Sequence, residues 1–519
     1  MKEDRSRAFI KGTVSLSVSV IIIKVLGVAF KVPLSYVLGD EGMGYFNTAY
    51  AIYGLFYILC TAGVPKSLSL VISGYRADSG DTKNDVDILK CGLSLFAGIG
   101  AFSTLLNIIC APVFAGMVGN RGAYLSIITV APSIFFVSLS GVLRGYLNST
   151  ERLTVIAVSQ LIEGAVKLVL GLAFAFVGVR LRASIQIISA LAIAGITVGS
   201  AISFCYMIIL TFYQKSELNM RQNTAVKRIY IKKKILKNAL PIALSATLLN
   251  LSSTLDLAII IRRLVSSGMS ESYANAIYGN YTTLAVPMFN LVISVLAPLA
   301  TSYMPRLTDI YLSRNDREFT ETLNRLLIIT LLISVPASLT FYFYSFDLLD
   351  VLFSLQSSAT GAEMLVTLAL GVCLLSALTV VNTALEAQGR IGATVFSLLL
   401  GCVVKMLVSY TLIGSGSVGI LGAPIGTVIS YALSLSVSLL MLERCGVRCR
   451  AVLKACALYA LGIVAFYPPY RLIYSTALMS TSFWSMSVSL ALSFAAYALL
   501  LGGTYFMMKG SSVFKVHKK

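Results

Sequence analysis

The stretch IIIKVLGVAFKVPL, residues 21–34, places Lys24 and Lys31 inside an apolar segment that is long enough to cross a bilayer. A charge near the bilayer centre costs roughly 2.5–3.5 kcal/mol on insertion scales. Seven residues separate the two lysines, which is nearly two helical turns, so both share one helix face about 10 Å apart along the axis. This helix therefore presents two cations to an anionic group within the membrane.

The whole chain has the composition of a membrane protein. Its 519 residues are 57% hydrophobic and 12% charged, with a mean hydropathy of +0.85, whereas soluble proteins are about 25% charged. This excludes a soluble globular fold and predicts an all-α polytopic membrane protein. The first apolar stretch is too long for a signal peptide, so we expect it to be retained as the first span.

About fourteen transmembrane helices are predicted, because a span needs roughly 20 apolar residues. Lys and Arg are concentrated in alternate connections, which predicts cytoplasmic termini and an even number of spans. The predicted spans are residues 9–38, 44–73, 89–118, 122–145, 153–179, 184–213, 236–264, 278–305, 320–345, 361–386, 392–413, 418–442, 451–473 and 482–508.

A basic cytoplasmic linker at residues 214–235 divides the spans into two groups of six. The predicted N-lobe is residues 1–213 with helices 1–6, and the predicted C-lobe is residues 236–442 with helices 7–12. Residues 443–519 add helices 13 and 14 and a basic tail. The linker charges indicate orientation and contact with anionic lipids, or else capture of an anionic substrate. These charges lie at the end of a membrane helix, so nucleic-acid binding is not expected.

A short internal repeat favours two pseudo-symmetric lobes. The tetrapeptide AIYG occurs at residues 51–54 and again at residues 276–279, and the same offset places Lys31 opposite Asp256. Asp256 is an isolated carboxylate in the middle of predicted span seven, which is a functional signal in a membrane. It either binds a proton or sodium ion or pairs with a lysine of the cavity.

Other charges within or beside the spans also have two interpretations. Glu163 and Lys167 are spaced i, i+4 in predicted span five, which favours a structural pair over a role in the cavity. Arg262 and Arg263 end predicted span seven on the outer side, where they contact a phosphate or anchor the helix end. Lys66 is a further candidate for the cavity wall.

The sequence contains no enzymatic signature. It has no GxxxxGK[ST], HExxH or GxSxG motif, and its one histidine, His517, lies in the tail. The nine cysteines are scattered through apolar segments, so no metal site is expected. We therefore predict neither an enzyme nor a bound cofactor.

Three segments resemble the stage V sporulation protein B family. KVLGVAFKVPLSYVLGDEGMGYFNTAYAIYGLFYILCTAGVPKSLS at residues 24–69 resembles the opening of that family. RGYLNSTERLTVIAVSQLIEGAVKLVLGL at residues 144–172 is similar to its fourth-to-fifth span region. STLDLAIIIRRLVSSGMSESYANAIYGNYTTLAVP at residues 253–287 is similar to its seventh-to-eighth span region. The family belongs to the multidrug/oligosaccharidyl-lipid/polysaccharide flippase superfamily, which includes MurJ-type lipid II flippases.

This resemblance implies two six-helix lobes around a cavity, with two further helices framing a lipid groove. It also implies movement of an undecaprenyl-pyrophosphate-linked cell-wall precursor from the inner to the outer leaflet by alternating access. Family members often carry arginine where this chain has Lys31, and lysine keeps the charge without the bidentate fork. The predicted headgroup site is Lys24, Lys31, Lys66, Arg262 and Arg263, with Asp256 in cation coupling or gating.

The leading hypothesis is therefore a flippase in the bacterial cytoplasmic membrane, acting on lipid II or a related lipid-linked oligosaccharide. A cation-coupled multidrug exporter of the same superfamily and a non-transporting scaffold for envelope assembly are the alternatives. Transport would be coupled to a sodium or proton gradient or to the membrane potential. The expected partners are membrane lipids, the lipid-linked glycan and cell-wall synthesis enzymes, and a monomer is expected. Sporulation and vegetative growth both remain open as the setting.

Overall fold

The computed structural model describes most of the chain. The described residues are 2–61, 63–79, 85–150, 152–213, 225–353, 358–415, 418–444, 451–475 and 486–500. Across these ranges the secondary structure is helical and contains no strand. This confirms the predicted all-α class.

The chain divides into two compact units, Met1–Thr283 and Leu284–Lys519. The π-helical segment Tyr281–Ala285 contains the boundary between them. The first unit has helices α1 (Lys2–Thr61), α2 (Val64–Ser79), α3 (Asp85–Val118), α4 (Tyr124–Ser149), α5 (Leu153–Arg180), α6 (Ile185–Tyr213), α7 (Ala225–Ser266) and α8 (Glu271–Asn280). The second has α9 (Val286–Ser302), α10 (Met304–Leu312), α11 (Asp316–Phe343), α12 (Ser345–Phe353), α13 (Ser358–Ala387), α14 (Ile391–Ile413), α15 (Gly422–Glu443) and α16 (Ala451–Ser475), followed by helical residues 486–500.

Helix α1 contains a break that the sequence prediction treats as the gap between spans one and two. Gly39 has φ +59° and ψ −173°, which is a backbone conformation that favours glycine. The apolar range Val25–Ile72 is 48 residues long, or about 70 Å of helix against a hydrocarbon core of about 30 Å. This length accommodates two crossings.

Ten helical ranges among the described residues are long and apolar enough to cross a membrane. Helices α7 and α16 contain the predicted spans 236–264 and 451–473 but are not among the ten, and Met486–Leu500 is a shorter apolar helix. The exact count of fourteen therefore stays a prediction. The multi-pass character of the chain is nevertheless clear.

The outer face of α3 shows why this fold needs a lipid environment. Phe102, Ile109 and Val113 are 67%, 73% and 58% exposed, and their spacing places them along one helix face. Soluble monomers rarely expose an apolar stripe of this length. The stripe is therefore a surface suited to acyl chains.

The compact units do not follow the predicted lobe boundaries. Helix α7 begins at Ala225, inside the predicted linker, and packs against α1, α2 and α3. Ile231 and Ile235 are buried in one core cluster with Leu68 and Leu143. Helix α8 packs against α1. Because these contacts join α7 and α8 to the preceding helices, the compact boundary falls after Thr283 and not at the linker.

Candidate functional site

Lys31 has a definite partner in the first unit. Its Nζ donates a hydrogen bond of 3.1 Å to the carbonyl oxygen of Thr282, in the π-helical segment. The neighbouring Phe30 is buried, with 1% of its surface exposed, whereas Lys31 is half-buried. Lys24 lies seven residues earlier in the same helix, but its side chain is outside the described part of the structure.

Lys167 of α5 approaches the same region through aromatic rings. Its Nζ lies 5.2 Å from the ring centre of Phe30 and 5.0 Å from that of Tyr50. An ammonium group over an aromatic face is attracted by the ring quadrupole, by about 0.5–2 kcal/mol. Lys167 also lies within electrostatic reach of Lys31. The fold thus gathers two cations around Phe30, which is buried, and Tyr50, which is 40% exposed.

Glu163 has a different partner from the one that its spacing predicts. Arg144 Nη2 donates to Glu163 Oε2 at 3.0 Å, and the two side chains are 10% and 21% exposed. Ser200 Oγ lies 3.5 Å from the other carboxylate oxygen, Oε1. The interpretation of Glu163 and Lys167 as a pair is thus corrected, because α4 brings a buried guanidinium to the carboxylate while Lys167 turns to Phe30 and Tyr50.

Arg144 is the functional candidate that sequence reasoning missed. It lies one residue before the end of predicted span four, but α4 continues to Ser149 and Arg144 is buried, with 9% of its surface exposed. The sequence offered little signal, because Gly145 and Asn148 in RGYLN favour a turn there. Only the position of α5 beside α4 reveals the pairing.

We define a polar seam as Tyr50 and Tyr57 of α1 with Gln160, Glu163 and Lys167 of α5. Each set falls on one helix face because its members are three, four or seven residues apart, and α1 packs on α5. Lys167 contacts Tyr50 at one end of the seam. In the middle, Tyr57 lies within interaction distance of Arg144, the partner of Glu163.

The side chains of three further predicted headgroup cations, Lys66, Arg262 and Arg263, are described by the structure. Lys66 is exposed in the first turn of α2. Arg262 is exposed, and its Nη2 lies 3.3 Å from the carbonyl oxygen of Gly116 near the end of α3. Arg263 is half-buried in the last turn of α7. The Arg262 contact favours the helix-anchoring alternative for this residue.

Asp256 is buried, with 8% of its surface exposed, and lies within electrostatic reach of Tyr278. It belongs to the first compact unit. The side chains of Asn250 and of residues 252–254, its predicted neighbours, are outside the described part of the structure. Among the described residues, no group of three His, Cys, Asp or Glu side chains comes together.

A second polar network joins α1 to α8, and we call Thr48, Asn120 and Asn275 the amide clasp. Asn120 Nδ2 donates to Asn275 Oδ1 at 2.6 Å and to Thr48 Oγ1 at 2.8 Å. Asn275 Nδ2 donates to the carbonyl oxygen of Glu41 at 2.9 Å. Both asparagines are fully buried, so each lost bond would leave an unsatisfied polar group.

Fold and site together define a multi-pass membrane protein that carries lysine and arginine side chains within its helical bundle. Residues 9–311 match the polysaccharide biosynthesis protein family, so this chain belongs to that family. Residues 281–411 match the MatE family.

Two relatives from Bacillus subtilis (strain 168) are similar over most of their length. Stage V sporulation protein B is 22% identical over 432 residues, which is 82% of each chain. Lipid II flippase MurJ is 22% identical over 461 residues, which is 85% of this chain and 83% of the relative. These relatives confirm the resemblance found from the sequence.

A solved structure of lipid II flippase MurJ in an inward closed conformation has the same fold. The TM-score is 0.72 at 15% identity, with 96% of this chain and 99% of that chain covered. At this identity the likeness concerns the fold alone.

Proposed function

We propose that this protein moves a lipid-linked pyrophosphate precursor of a cell-wall glycan from the inner to the outer leaflet of the bacterial cytoplasmic membrane. Lipid II or a related undecaprenyl-pyrophosphate-linked oligosaccharide is the substrate class. It acts as a transporter by alternating access and not as an enzyme. Both termini lie in the cytoplasm. Membership of the polysaccharide biosynthesis family and similarity to MurJ support this proposal.

The observation that carries it is the pair Lys31 and Lys167. Within the described part of the chain, their recorded contacts are the Thr282 carbonyl and the rings of Phe30 and Tyr50, with no carboxylate among them. Two neighbouring ammonium groups inside a membrane protein repel each other and lack full hydration. An anionic ligand relieves both costs.

A pyrophosphate is such a ligand. It does not cross hydrocarbon unaided, because an isolated charge loses its hydration there. Lys31 and Lys167 replace that hydration for the phosphates while the isoprenoid tail stays in lipid. Lys24 and Lys66 stay predicted contributors to the headgroup site. Asp256 biases the two access states by binding a sodium ion or proton more tightly in one of them.

Transport by purified protein in liposomes tests the proposal. The substrate is a fluorescent polyprenyl-pyrophosphate disaccharide, and arrival in the opposite leaflet is measured by quenching. We expect wild-type protein to move it and Lys31→Ala/Lys167→Ala to be slowed at least tenfold. Arg317→Ala is the control, because Arg317 is exposed on α11. Equal rates for the wild type and the double variant would refute the assigned role.

The MatE match over residues 281–411 favours one further candidate, a cation-coupled multidrug exporter. A cationic drug requires acidic partners, whereas the gathered side chains Lys31 and Lys167 are cationic. Efflux of a cationic dye from the same liposomes, without lipid translocation, would favour the exporter. Inactivity toward both substrates would favour an envelope-assembly scaffold.

A further inference from the structure

A cavity of about 290 Å³ lies at the other end of the polar seam from Lys167. The end of α1, the start of α2, the second half of α4 and the first half of α5 surround it. Its polar side chains are Thr61, Arg144, Asn148 and Gln160, and the remaining wall is apolar. All of them belong to the first compact unit.

Two glycines of α4 fix the shape of this cavity. A Cβ at Gly145 would lie 2.8 Å from the Pro65 carbonyl oxygen, which is too close for any side chain. A Cβ at Gly141 would lie 3.3 Å from the Cys60 carbonyl oxygen, and Gly141 itself lines the cavity. The backbone of α4 therefore packs directly on the α1–α2 junction, and this close packing shapes the cavity.

The charge of the cavity is balanced. Arg144 is its cation, and Glu163 already neutralises that charge at 3.0 Å. A further anion would meet the Glu163 carboxylate, and a cation would meet the guanidinium, so neither is favoured over water. The amides of Asn148 and Gln160 both donate and accept hydrogen bonds, and the Thr61 hydroxyl, which donates to the Tyr57 carbonyl oxygen at 2.7 Å, can still accept one. This set suits an uncharged ligand that is rich in hydroxyl and amide groups.

One donor of the cavity lining lacks an acceptor. Within the described residues, the Nε of Arg144 is buried and has no hydrogen-bond partner. Buried polar groups are nearly always paired, so such a group calls for an explanation. Arg144 therefore keeps hydrogen-bond capacity beyond its ion pair with Glu163.

The spacing along α5 relates the cavity to the cationic pair. Gln160 and Lys167 share a helix face seven residues apart, or about 10 Å along the axis. When Lys31 and Lys167 hold the phosphates, the glycan can therefore reach the cavity, whereas the pyrophosphate cannot. This step rests on the function proposed above.

We propose that this cavity binds an uncharged, acetamido-bearing part of the glycan headgroup, with Asn148, Gln160 and Thr61 as the residues that select a glycosylated lipid over the bare lipid pyrophosphate. The pocket contributes specificity, and Lys31 and Lys167 contribute the attraction for phosphate. Removal of the pocket contacts should then weaken binding of the glycosylated lipid and leave binding of the bare lipid pyrophosphate unchanged.

Competition binding to the full-length protein in nanodiscs tests this inference. The probes are polyprenyl pyrophosphate carrying an N-acetylated disaccharide and the same lipid without sugar. Wild-type protein is expected to prefer the glycosylated lipid. Asn148→Ala and Gln160→Leu should each weaken its binding roughly fivefold, as for one lost hydrogen bond, with unchanged affinity for the bare lipid.

Thr61→Val, which keeps the side-chain shape, provides a second variant if an amide substitution unfolds the protein. Gln186→Leu in the first turn of α6, outside the cavity lining, is the matched control. A wild-type preference that survives Asn148→Ala/Gln160→Leu, or no preference in the wild type, would overturn the inference while the proposed function stands. Wild-type protein that binds neither lipid would overturn both.

Discussion

Lys31 Nζ and the carbonyl oxygen of Thr282 are joined by a 3.1 Å hydrogen bond between α1 and the π-helical segment. That segment contains the boundary between the two compact units. π-Helical turns are uncommon and often occur at functional sites. A phosphate would compete for the same ammonium through a stronger, charge-assisted bond. Phosphate binding at Lys31, as proposed above, would therefore be linked to the backbone at the unit boundary.

The first prediction concerns this link. Lys31→Met should increase hydrogen–deuterium exchange in residues 278–285, because the Thr282 carbonyl loses its partner. Lys167→Met should leave exchange in that peptide unchanged, since Lys167 contacts rings of α1 instead. Exchange followed by mass spectrometry measures both. Equal protection in the wild type and in Lys31→Met would show that the bond does not hold the segment.

The second prediction concerns the buried pair Arg144 and Glu163. Glu163→Gln leaves a buried guanidinium without its counter-charge, which typically costs about 3–5 kcal/mol. The double variant Arg144→Met/Glu163→Gln should recover much of that loss, because no uncompensated charge remains. Thermal unfolding in detergent measures both variants.

The exposed pair Arg317 and Glu321 is the matched control, since its side chains are 90% and 54% exposed. Glu321→Gln should change stability by less than about 1 kcal/mol. A Glu163→Gln variant as stable as this control would mean that the buried pair contributes little.

The pair Arg144 and Glu163 also shows which features of the structure the sequence could predict. Composition and apolar periodicity predict the helical membrane fold, and the cost of a buried charge singles out Lys31, Glu163 and Lys167. The partners of these residues were not predictable from local spacing, because they lie on other helical segments of the chain. Arg144 is 19 residues from Glu163 and Thr282 is 251 residues from Lys31. Local spacing offered only the nearer i, i+4 partner.

The AIYG repeat gives a second example. Gly54 in the first copy has open space around an added Cβ, whereas at Gly279 an added Cβ would lie 2.9 Å from the backbone nitrogen of Gly44. The two tetrapeptides thus have unequal surroundings. Pseudo-symmetry in sequence did not predict this difference, because close helix approach depends on the facing helix.

The third prediction follows from that difference. Gly279→Ala should separate α8 from α1 and destabilise the protein by about 1–3 kcal/mol, as overpacking does. Gly54→Ala, the matched position of the repeat, should be neutral or stabilising by up to about 1 kcal/mol, because alanine is the better helix former. Thermal midpoints of the two variants provide the comparison. Equal shifts in the two would argue against a tight contact at Gly279.

The fourth prediction concerns the amide clasp. Asn120 and Asn275 are both fully buried and bonded to each other at 2.6 Å. Either alanine substitution should cost about 1–3 kcal/mol, because the remaining amide loses its partner while buried. Residues in direct contact are not additive, so Asn120→Ala/Asn275→Ala should cost less than the sum of the single variants.

A double-mutant cycle on thermal stability measures this coupling. The control cycle pairs Asn275→Ala with Asn315→Ala, because Asn315 caps α11 in the other compact unit. That cycle should be additive within about 0.5 kcal/mol. The clasp fixes α8 against α1 next to the π-helical segment, so its loss should also raise exchange in residues 278–285, as Lys31→Met does. Additivity in the Asn120–Asn275 cycle would show that the two amides contribute independently and that no clasp holds α8.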